Sequence, residues 1–300
     1  MVTQSLEDIL VTDKEISGYM DKRDNQEHTK IKSPYDYLDD VKKHFSEDLL
    51  GGISLPFKGT DESFKVRLGE LSVVTGFSGH GKSAWLNQCI LGLMKHEKAM
   101  IASFEMTPRA TLARMTQQTG EALPNDDYIE DFLKQLVGNL YLYDPEGETS
   151  PTKVVEIIYF CAEKLGIKLI VLDSLMKCGI NEDDLNGQKA FANRLAVAAR
   201  DLDIHIFLVA HSRKTSTDHE YARKLDVAGS GNLTNMADNV FSIHRNKARE
   251  EAILNNDLDN DIVSAPPCTV WLVKQRHGKG IETKWGFGFK PETFQYTETW

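Results

Sequence analysis

Short runs of apolar residues recur along the chain from residue 68 onward, and segments with helical periodicity separate them. The apolar runs cover residues 71–75, 99–104, 140–143, 168–173, 205–210 and 269–274. Between them, apolar residues at helical spacing with few helix breakers occupy 84–95, 108–119, 153–165 and 187–202. Strands that alternate with helices are typical of βαβ units. The pattern therefore predicts an α/β fold with a mostly parallel central sheet flanked by helices.

The two ends of the chain depart from this alternation. Residues 285–296, WGFGFKPETFQY, predict a late antiparallel hairpin at the edge of the sheet. At the other end, about the first thirty residues are densely charged and poor in large apolar groups, which predicts a mobile arm. We therefore divide the chain into an N-terminal arm over 1–50 and one domain over 51–300.

One short amphipathic helix is predicted within the arm, over about 34–49. Ser33 is a capping residue, and Pro34 suits the first turn of a helix. Apolar residues follow at roughly helical spacing, namely Leu38, Val41, Phe45 and Leu49. This stripe can pack on the core of its own chain or dock on a neighbouring subunit, and the pattern leaves both readings open.

Composition narrows the class of protein. The 300 residues are 41% hydrophobic and 27% charged, as in an ordinary water-soluble chain. No apolar run is long enough to cross a bilayer, and the N-terminus is acidic and polar rather than signal-like, so we expect a cytoplasmic protein with no membrane partner. Four isolated cysteines without C-x-x-C spacing predict buried, reduced thiols: Cys89, Cys161, Cys178 and Cys268.

The net charge of −10 argues against a protein coated in basic patches, because neutralising nucleic-acid phosphates normally requires clustered Lys and Arg. It does not exclude nucleic acid. A ring-shaped protein can be acidic outside and still present a few basic side chains from each subunit to a central channel.

The segment GFSGHGKS lies between the first apolar run and the first helix and fits G-x-x-x-x-G-K-[ST]. Its glycines let backbone N–H groups face a β-phosphate, while Lys82 adds positive charge and Ser83 offers a hydroxyl to Mg²⁺. The predicted nucleotide-binding residues are Gly76, Ser78, Gly79, His80, Gly81, Lys82, Ser83 and Ala84. A glycine-rich turn could match this motif by chance, but the flanking strand and helix argue against that.

Three polar residues stand at the ends of apolar runs and are candidates for the chemistry, because the ends of such strands meet at one edge of the sheet. Asp173 ends KLIVLD and is the predicted Mg²⁺ ligand together with Ser83; the alternative is a turn or cap residue. Glu105 follows MIASF and is the predicted catalytic base; alternatively it is a solvent-facing acid near a helix N-terminus. His211 follows HIFLVA and is predicted to sense the γ-phosphate.

These motifs together resemble a known family. GFSGHGKS, FEM at 104–106, LIVLD, VAHSRK and VKQRHGKG at 273–280 occur in the order found in the helicase core of DnaB-like, superfamily 4 proteins. The chain is also similar to the helicase half of bacteriophage primase-helicases and of Twinkle, including the histidine at position 211. The resemblance covers roughly residues 50–300. It implies a RecA-like P-loop NTPase core that uses ATP or another NTP with Mg²⁺.

The resemblance further implies a shared active site and a DNA-binding loop. Lys274 and Arg276 resemble the basic pair that reaches the neighbouring subunit's γ-phosphate, with Arg276 as the arginine finger; alternatively they are exposed basics in a turn. The segment from 212 to 231 resembles the channel loops that hold single-stranded DNA, although a solvated loop would carry the same charges. The implied DNA-binding residues are Arg213, Lys214, Arg223, Lys224, Gly229, Ser230 and Gly231.

The function implied by this family is that of a replicative DNA helicase in a bacterial or phage replisome. It would assemble as a homohexameric ring, translocate on single-stranded DNA and unwind the duplex at a fork. No primase domain is visible ahead of residue 50. Either the protein works with a separate primase and other replisome proteins, or the chain is one fragment of a longer protein. Two alternatives keep the fold, namely a RecA or RadA-type recombination ATPase and a KaiC-like switch ATPase that does not unwind. No residue is assigned to the adenine pocket.

Overall fold

A computed structural model of the chain describes residues 16, 33–46, 51–145, 149–181, 183–211, 231–257, 261–278, 280 and 282–299. Its strands are β1 Leu71–Gly76, β2 Ala99–Ser103, β3 Leu140–Tyr143, β4 Leu169–Asp173, β5 His205–His211, β6 Asn239–Arg245, β7 Cys268–Gln275, β8 Thr283–Lys290 and β9 Gln295–Glu298. Its α-helices are α1 Leu38–Ser46, α2 Lys82–Leu93, α3 Pro108–Gln118, α4 Asp126–Leu136, α5 Pro151–Leu165, α6 Leu185–Leu202, α7 Gly231–Met236, α8 Lys247–Leu254 and α9 Asp261–Ser264. Short 3-10 turns cover Pro34–Tyr37, Lys58–Thr60 and Leu175–Lys177.

The strands form one nine-stranded sheet in the order β3-β2-β4-β5-β1-β6-β7-β8-β9. The first six strands in this order are parallel, and the last three join antiparallel. Because β1 lies inside the sheet between β5 and β6, all six of its residues are buried. The predicted α/β class and the predicted late hairpin, β8–β9, are both confirmed.

Each face of the sheet has its own hydrophobic core. Successive side chains of a strand point to opposite faces, so Val73 and Val74 of β1 belong to different clusters. Val73 packs in the cluster that contains the buried residues of α5 and α6. Val74 packs in the cluster that contains Trp85 and the rest of the buried face of α2. The sheet is thus covered by helices on both faces, which fixes its parallel strands in place.

Two elements differ from the sequence-based expectation. The run at 269–274 is a strand, but β7 is antiparallel to β6 rather than part of another parallel unit. The strand β6 itself was not predicted. The reason is that β6 buries polar residues among its apolar ones, including Asn239 and Ser242, so its pattern is not recognisably that of a strand.

The segment ahead of the domain contains the 3-10 turn and α1. The backbone N–H of Ser33 donates to a carboxylate oxygen of Asp36 at 2.7 Å, which supports this helix start. Several apolar side chains in the segment are exposed, among them Tyr35 at 78% and Phe45 at 82%. Of the predicted stripe, Val41 and Phe45 are exposed and Leu38 is half-buried, whereas Leu49 lies outside the described residues. In the parts of the chain that the structure describes, no helix has both the length and the apolar character to cross a membrane.

Buried polar residues form a cluster at the amino ends of the parallel strands. The Asn239 amide donates to Glu70 at 2.8 Å and to the Ser72 hydroxyl at 3.1 Å. His205 is fully buried, with Nδ1 donating to the Arg67 carbonyl at 2.5 Å and Nε2 beside Ser72 at 2.9 Å. Burial lowers the pKa of His205 to about 4, so its imidazole is neutral at physiological pH.

Substitution of Glu70 by Gln is expected to stabilise the protein at neutral and alkaline pH. Burial raises the pKa of Glu70 from 4.5 to about 7. Between these two values the folded state holds a proton that the unfolded chain has released, so stability falls as pH rises. Glutamine does not titrate. The variant should match the wild type below pH 4.5 and gain roughly 3 kcal/mol above pH 7, measured by urea unfolding across this range. A constant difference at all pH values would contradict the assignment.

Candidate nucleotide-binding active site

The turn from β1 to α2 carries the glycine-rich motif. Gly79 and Gly81 have positive φ angles of 77° and 86°, which favour glycine. Gly76 has no room for a side chain, because a β-carbon there would overlap the carbonyl oxygen of Ile243. A β-carbon at Gly81 would similarly overlap the hydroxyl of Tyr296. The backbone of this turn is therefore shaped by glycine, with the N-terminus of α2 directly behind it.

Lys82 is buried at the start of α2 and rests on the turn itself. Its Nζ donates to the carbonyl oxygens of Gly76 and Phe77, both at 3.0 Å, and lies 3.3 Å from Nδ1 of His211. Burial lowers the pKa of Lys82, and the carboxylates of Asp173 and Glu105 act in the opposite direction. The ammonium is thus held within a few ångströms of the position that a nucleotide phosphate would occupy in such a turn.

Asp173 ends β4 and faces the same turn. It is buried and hydrogen-bonds to the hydroxyl of Ser83, yet its Oδ1 has no hydrogen-bond partner within the described chain. Burial raises the pKa of Asp173 despite the hydrogen bond. A buried carboxylate oxygen without a partner next to a hydroxyl fits one corner of a Mg²⁺ site, because Mg²⁺ in nucleotide sites takes few protein ligands. Among the described residues, no group of three or more His, Cys, Asp or Glu is placed so that it could hold a metal ion.

Glu105, His211 and Lys82 form a hydrogen-bonded chain at the carboxyl edge of the sheet, from the end of β2 past the end of β5 to the start of α2. His211 Nε2 lies 2.8 Å from Glu105 Oε1, and the Ser174 hydroxyl donates to the same oxygen at 2.9 Å. Lysine has only donors, so His211 Nδ1 accepts and Nε2–H donates to Glu105. The His211 hydrogen bond is the main cause that lowers the pKa of Glu105 to about 2. Glu105 is therefore a fixed, ionised carboxylate and not a free surface acid.

A cavity of about 440 Å³ opens over these residues. Its remaining wall includes side chains for which no role was predicted, namely Arg114, Arg245, Glu250, Phe289 and Phe294. The guanidinium of Arg114 lies 5.1 Å from the centre of the Phe294 ring. Arg245 donates to both carboxylate oxygens of Glu250, at 2.6 and 2.9 Å. Aromatic rings and guanidinium groups are surfaces on which a nucleobase can stack.

Lys274 and Arg276, the predicted basic pair, do not lie near the glycine-rich turn of their own chain. Because β7 is antiparallel to β6, its last residue pairs with Asn239 at the amino edge of the sheet, opposite the glycine-rich turn. Lys274 Nζ donates to the carbonyls of Thr234 and Ala237, at 2.7 and 2.6 Å. Arg276 also lies at this edge, so neither side chain completes the cavity of its own subunit.

Of the seven predicted DNA-binding residues, one lies within the described part of the chain. Six of them lie outside the described residues, namely Arg213, Lys214, Arg223, Lys224, Gly229 and Ser230. Gly231 is the first residue of α7. The four cysteines are buried and not paired in disulfides, as expected of reduced thiols.

The sequence matches one protein family and is similar to those of known proteins. Residues 65–217 match the protein family described as the AAA domain. The DNA helicase/primase of Enterobacteria phage T3 is 23% identical over 227 residues, covering 67% of this chain and 40% of that protein. The Twinkle homolog protein, chloroplastic/mitochondrial, of Arabidopsis thaliana is 23% identical over 218 residues, covering 65% and 31%. The chain therefore matches less than half the length of these curated relatives.

Two solved structures share the fold. The first, a structure of an isolated ATPase domain, superposes with a TM-score of 0.71 at 15% identity, over 90% of this chain and 99% of that chain. The second, a DnaB-like replicative helicase studied with its interactions with primase, superposes with a TM-score of 0.68 at 14% identity, over 95% and 71%. The likeness confirms the predicted RecA-like core at the level of the fold.

Proposed function

The chain belongs to the AAA domain family, and on this premise we propose that it is an ATP-dependent replicative DNA helicase whose active sites form between subunits of a ring. The observation that carries the proposal is the position of Lys274 and Arg276 at the sheet edge opposite the nucleotide cavity. A basic pair that cannot serve its own cavity can serve a neighbour's. Head-to-tail packing of identical subunits, repeated until it closes, generates a ring.

The phosphate end of the nucleotide would lie over the glycine-rich turn. There Lys82 would exchange the carbonyls of Gly76 and Phe77 for phosphate oxygens, and backbone N–H groups at the start of α2 would complete the cradle. Asp173 and Ser83 would hold Mg²⁺, which supplies positive charge to the phosphates when bound. The base would stack against the aromatic and guanidinium side chains in the rest of the cavity wall.

Glu105 is the proposed group that orients the attacking water. Its carboxylate is ionised and accepts from His211 and Ser174, so its position is held by two hydrogen bonds. His211 stands between Glu105 and Lys82, so movement of Lys82 to the phosphates would change the hydrogen bond that His211 makes. This supports the predicted role of His211 as the residue that reports the state of the γ-phosphate.

Single-stranded DNA is the proposed partner of the segment between β5 and β6. Its residues 212–230 lie outside the described chain, but β5 delivers His211 to the nucleotide cavity and α7 follows the segment directly. A change at His211 could therefore reach the segment through the chain itself. Relatives support this partner, because one is a phage DNA helicase/primase and another a DnaB-like helicase studied with primase. A primase is accordingly the second proposed partner.

The exposed apolar side chains of the segment that contains α1 support assembly. Tyr35 in the 3-10 turn and Val41 in α1 are exposed within the described residues, and contiguous exposed apolar surface marks sites of contact with other proteins. We assign this face to a neighbouring copy, where it would help to close the ring.

The proposal is tested by steady-state ATP hydrolysis with and without single-stranded DNA. The wild type should be stimulated by DNA, and Lys82→Ala should reduce turnover by about 10²–10³-fold, because a charge that stabilises the transferred phosphoryl group is lost. Lys98→Ala is the matched control, since Lys98 donates to the Leu165 carbonyl and does not line the cavity. Turnover that ignores DNA would favour the switch ATPase, and strand exchange without fork unwinding would favour the recombinase.

A further inference from the structure

Asp238 lies between α7 and β6 and connects two parts of the molecule. Its Oδ2 accepts from the backbone N–H of Leu71, the first residue of β1, at 2.9 Å. Its Oδ1 accepts from Nη1 of Arg276 at 2.9 Å, and its own carbonyl accepts from the Arg276 backbone N–H at 2.8 Å. One buried carboxylate thus binds the central strand on one side and an exposed guanidinium on the other.

The charges around Asp238 favour its pairing with Arg276. Nε2 of His277 lies farther from the same oxygen, Oδ1 of Asp238, at 3.7 Å, and the His277 side chain is more exposed than that of Arg276. Lys274 donates to carbonyl oxygens at the end of α7. A second nitrogen of Arg276, Nη2, donates to the carbonyl of Asn235 at 3.0 Å. Two groups therefore hold the Arg276 side chain, namely the carboxylate of Asp238 and the backbone carbonyl of Asn235. Of these two groups, only the carboxylate can carry a charge.

A flexible side chain loses conformational entropy when it is ordered. An arginine that acts across a subunit boundary is therefore more effective if its side chain already has the required orientation before the subunits assemble. We propose that Asp238 is a positioning residue that aims Arg276 at the nucleotide of the neighbouring subunit. This inference rests on the proposed function, in which Arg276 acts in trans. The inference adds that β1 fixes the orientation of the Arg276 side chain. Leu71, at one end of β1, anchors Asp238, and Gly76, at the other end, begins the glycine-rich turn.

The geometry separates Asp238 from its own nucleotide cavity. Leu71 and Gly76 are the opposite ends of β1, five residues apart, which corresponds to about 17 Å along a strand. Asp238 does not line the cavity that contains Lys82 and Glu105. A change at Asp238 should consequently spare the site of its own subunit and damage the site of the next one.

The test is Asp238→Asn in the assembled protein. Asparagine keeps an oxygen for the Leu71 N–H but removes the charge that holds Arg276. The variant alone should lose about tenfold or more in kcat for ATP with an unchanged KM. Mixed in equal amounts with Glu105→Gln, it should regain activity above the sum of the two separate proteins. In the mixture, intact Asp238 and Arg276 from one subunit face an intact Glu105 from the other.

Glu70→Gln is the matched control, since Glu70 is also a buried acid at the amino edge but contacts Asn239 and Arg67 instead of Arg276. It should keep full kcat in pure and mixed assemblies. Asp238→Glu retains the charge and displaces it by one methylene. It should show the same loss and the same rescue, and it replaces the asparagine variant if that protein does not fold.

The failure of this inference is distinguishable from the failure of the proposed function. If Arg276→Ala and Glu105→Gln do not complement one another, the shared active site itself is wrong. If that pair complements but neither Asp238 variant is rescued, Asp238 has only a structural role and the inference is overturned. Full kcat in an Asp238 variant alone would overturn it as well.

Discussion

Replacement of Arg276 by Ala is expected to reduce ATP turnover of the assembled protein by about 10³-fold or more. An arginine supplied by another subunit stabilises charge that develops on the transferred phosphoryl group, and losses of this size follow its removal. Because Arg276 lies at the edge opposite its own cavity, binding of nucleotide to an isolated subunit should be unchanged. The measurements are kcat of the assembled protein and nucleotide affinity of the dilute subunit.

Arg200→Ala serves as the control for Arg276→Ala, because Arg200 is an exposed arginine in the last turn of α6. It should leave turnover unchanged. Normal kcat in Arg276→Ala, or a loss that appears only as weaker nucleotide binding by the single subunit, would show that Arg276 does not act on a neighbour's phosphate.

Glu105→Gln is expected to reduce turnover by about 10²–10⁴-fold while nucleotide still binds. The change preserves shape and can still accept from His211 and Ser174, but it removes the negative charge that orients and polarises water. Since the pKa of Glu105 is lowered to about 2, the wild-type carboxylate is ionised throughout the range from about pH 5 to 9. The loss should therefore be equally large at every pH in that range.

Single-turnover hydrolysis with bound nucleotide separates the chemical step from release and is the decisive measurement for Glu105→Gln. Glu97→Gln, a partly exposed acid just beyond the end of α2, is the control and should behave as the wild type. If Glu105→Gln hydrolyses bound nucleotide at the normal rate, Glu105 only supports the structure around His211, and another group must orient the water.

Much of the carboxyl edge of the sheet could be predicted from the sequence. The strands that lead to Glu105, Asp173 and His211 are continuous apolar runs, and such runs indicate buried parallel strands whose ends meet at one edge. The glycine-rich motif predicted the turn between β1 and α2, and Lys82 is the first residue of α2. What the pattern did not indicate was the hydrogen-bonded chain through His211, because its geometry depends on the order of strands in the sheet.

The parts that could not be predicted depend on residues distant in sequence. Arg114 lies against the C-terminal hairpin in the cavity wall, where its guanidinium covers the Phe294 ring. The strand β6 was missed because it buries Asn239, whose partners are Glu70 and Ser72, and no periodic pattern reveals such pairing. Asp238 had no visible role for the same reason, since its partners Leu71 and Arg276 lie far from it along the chain.

The proposed division of the active site between opposite edges of one sheet has a consequence for inheritance. A subunit that lacks Arg276 would inactivate the site that it shares with a normal neighbour. A subunit that lacks Glu105 would have an inactive site of its own, even though the neighbour supplies a normal arginine to it. In a cell that makes both normal and defective chains, most rings would contain some of each. Defects at either edge should therefore be dominant over the normal gene, whereas a chain that fails to fold would never enter a ring and would be recessive.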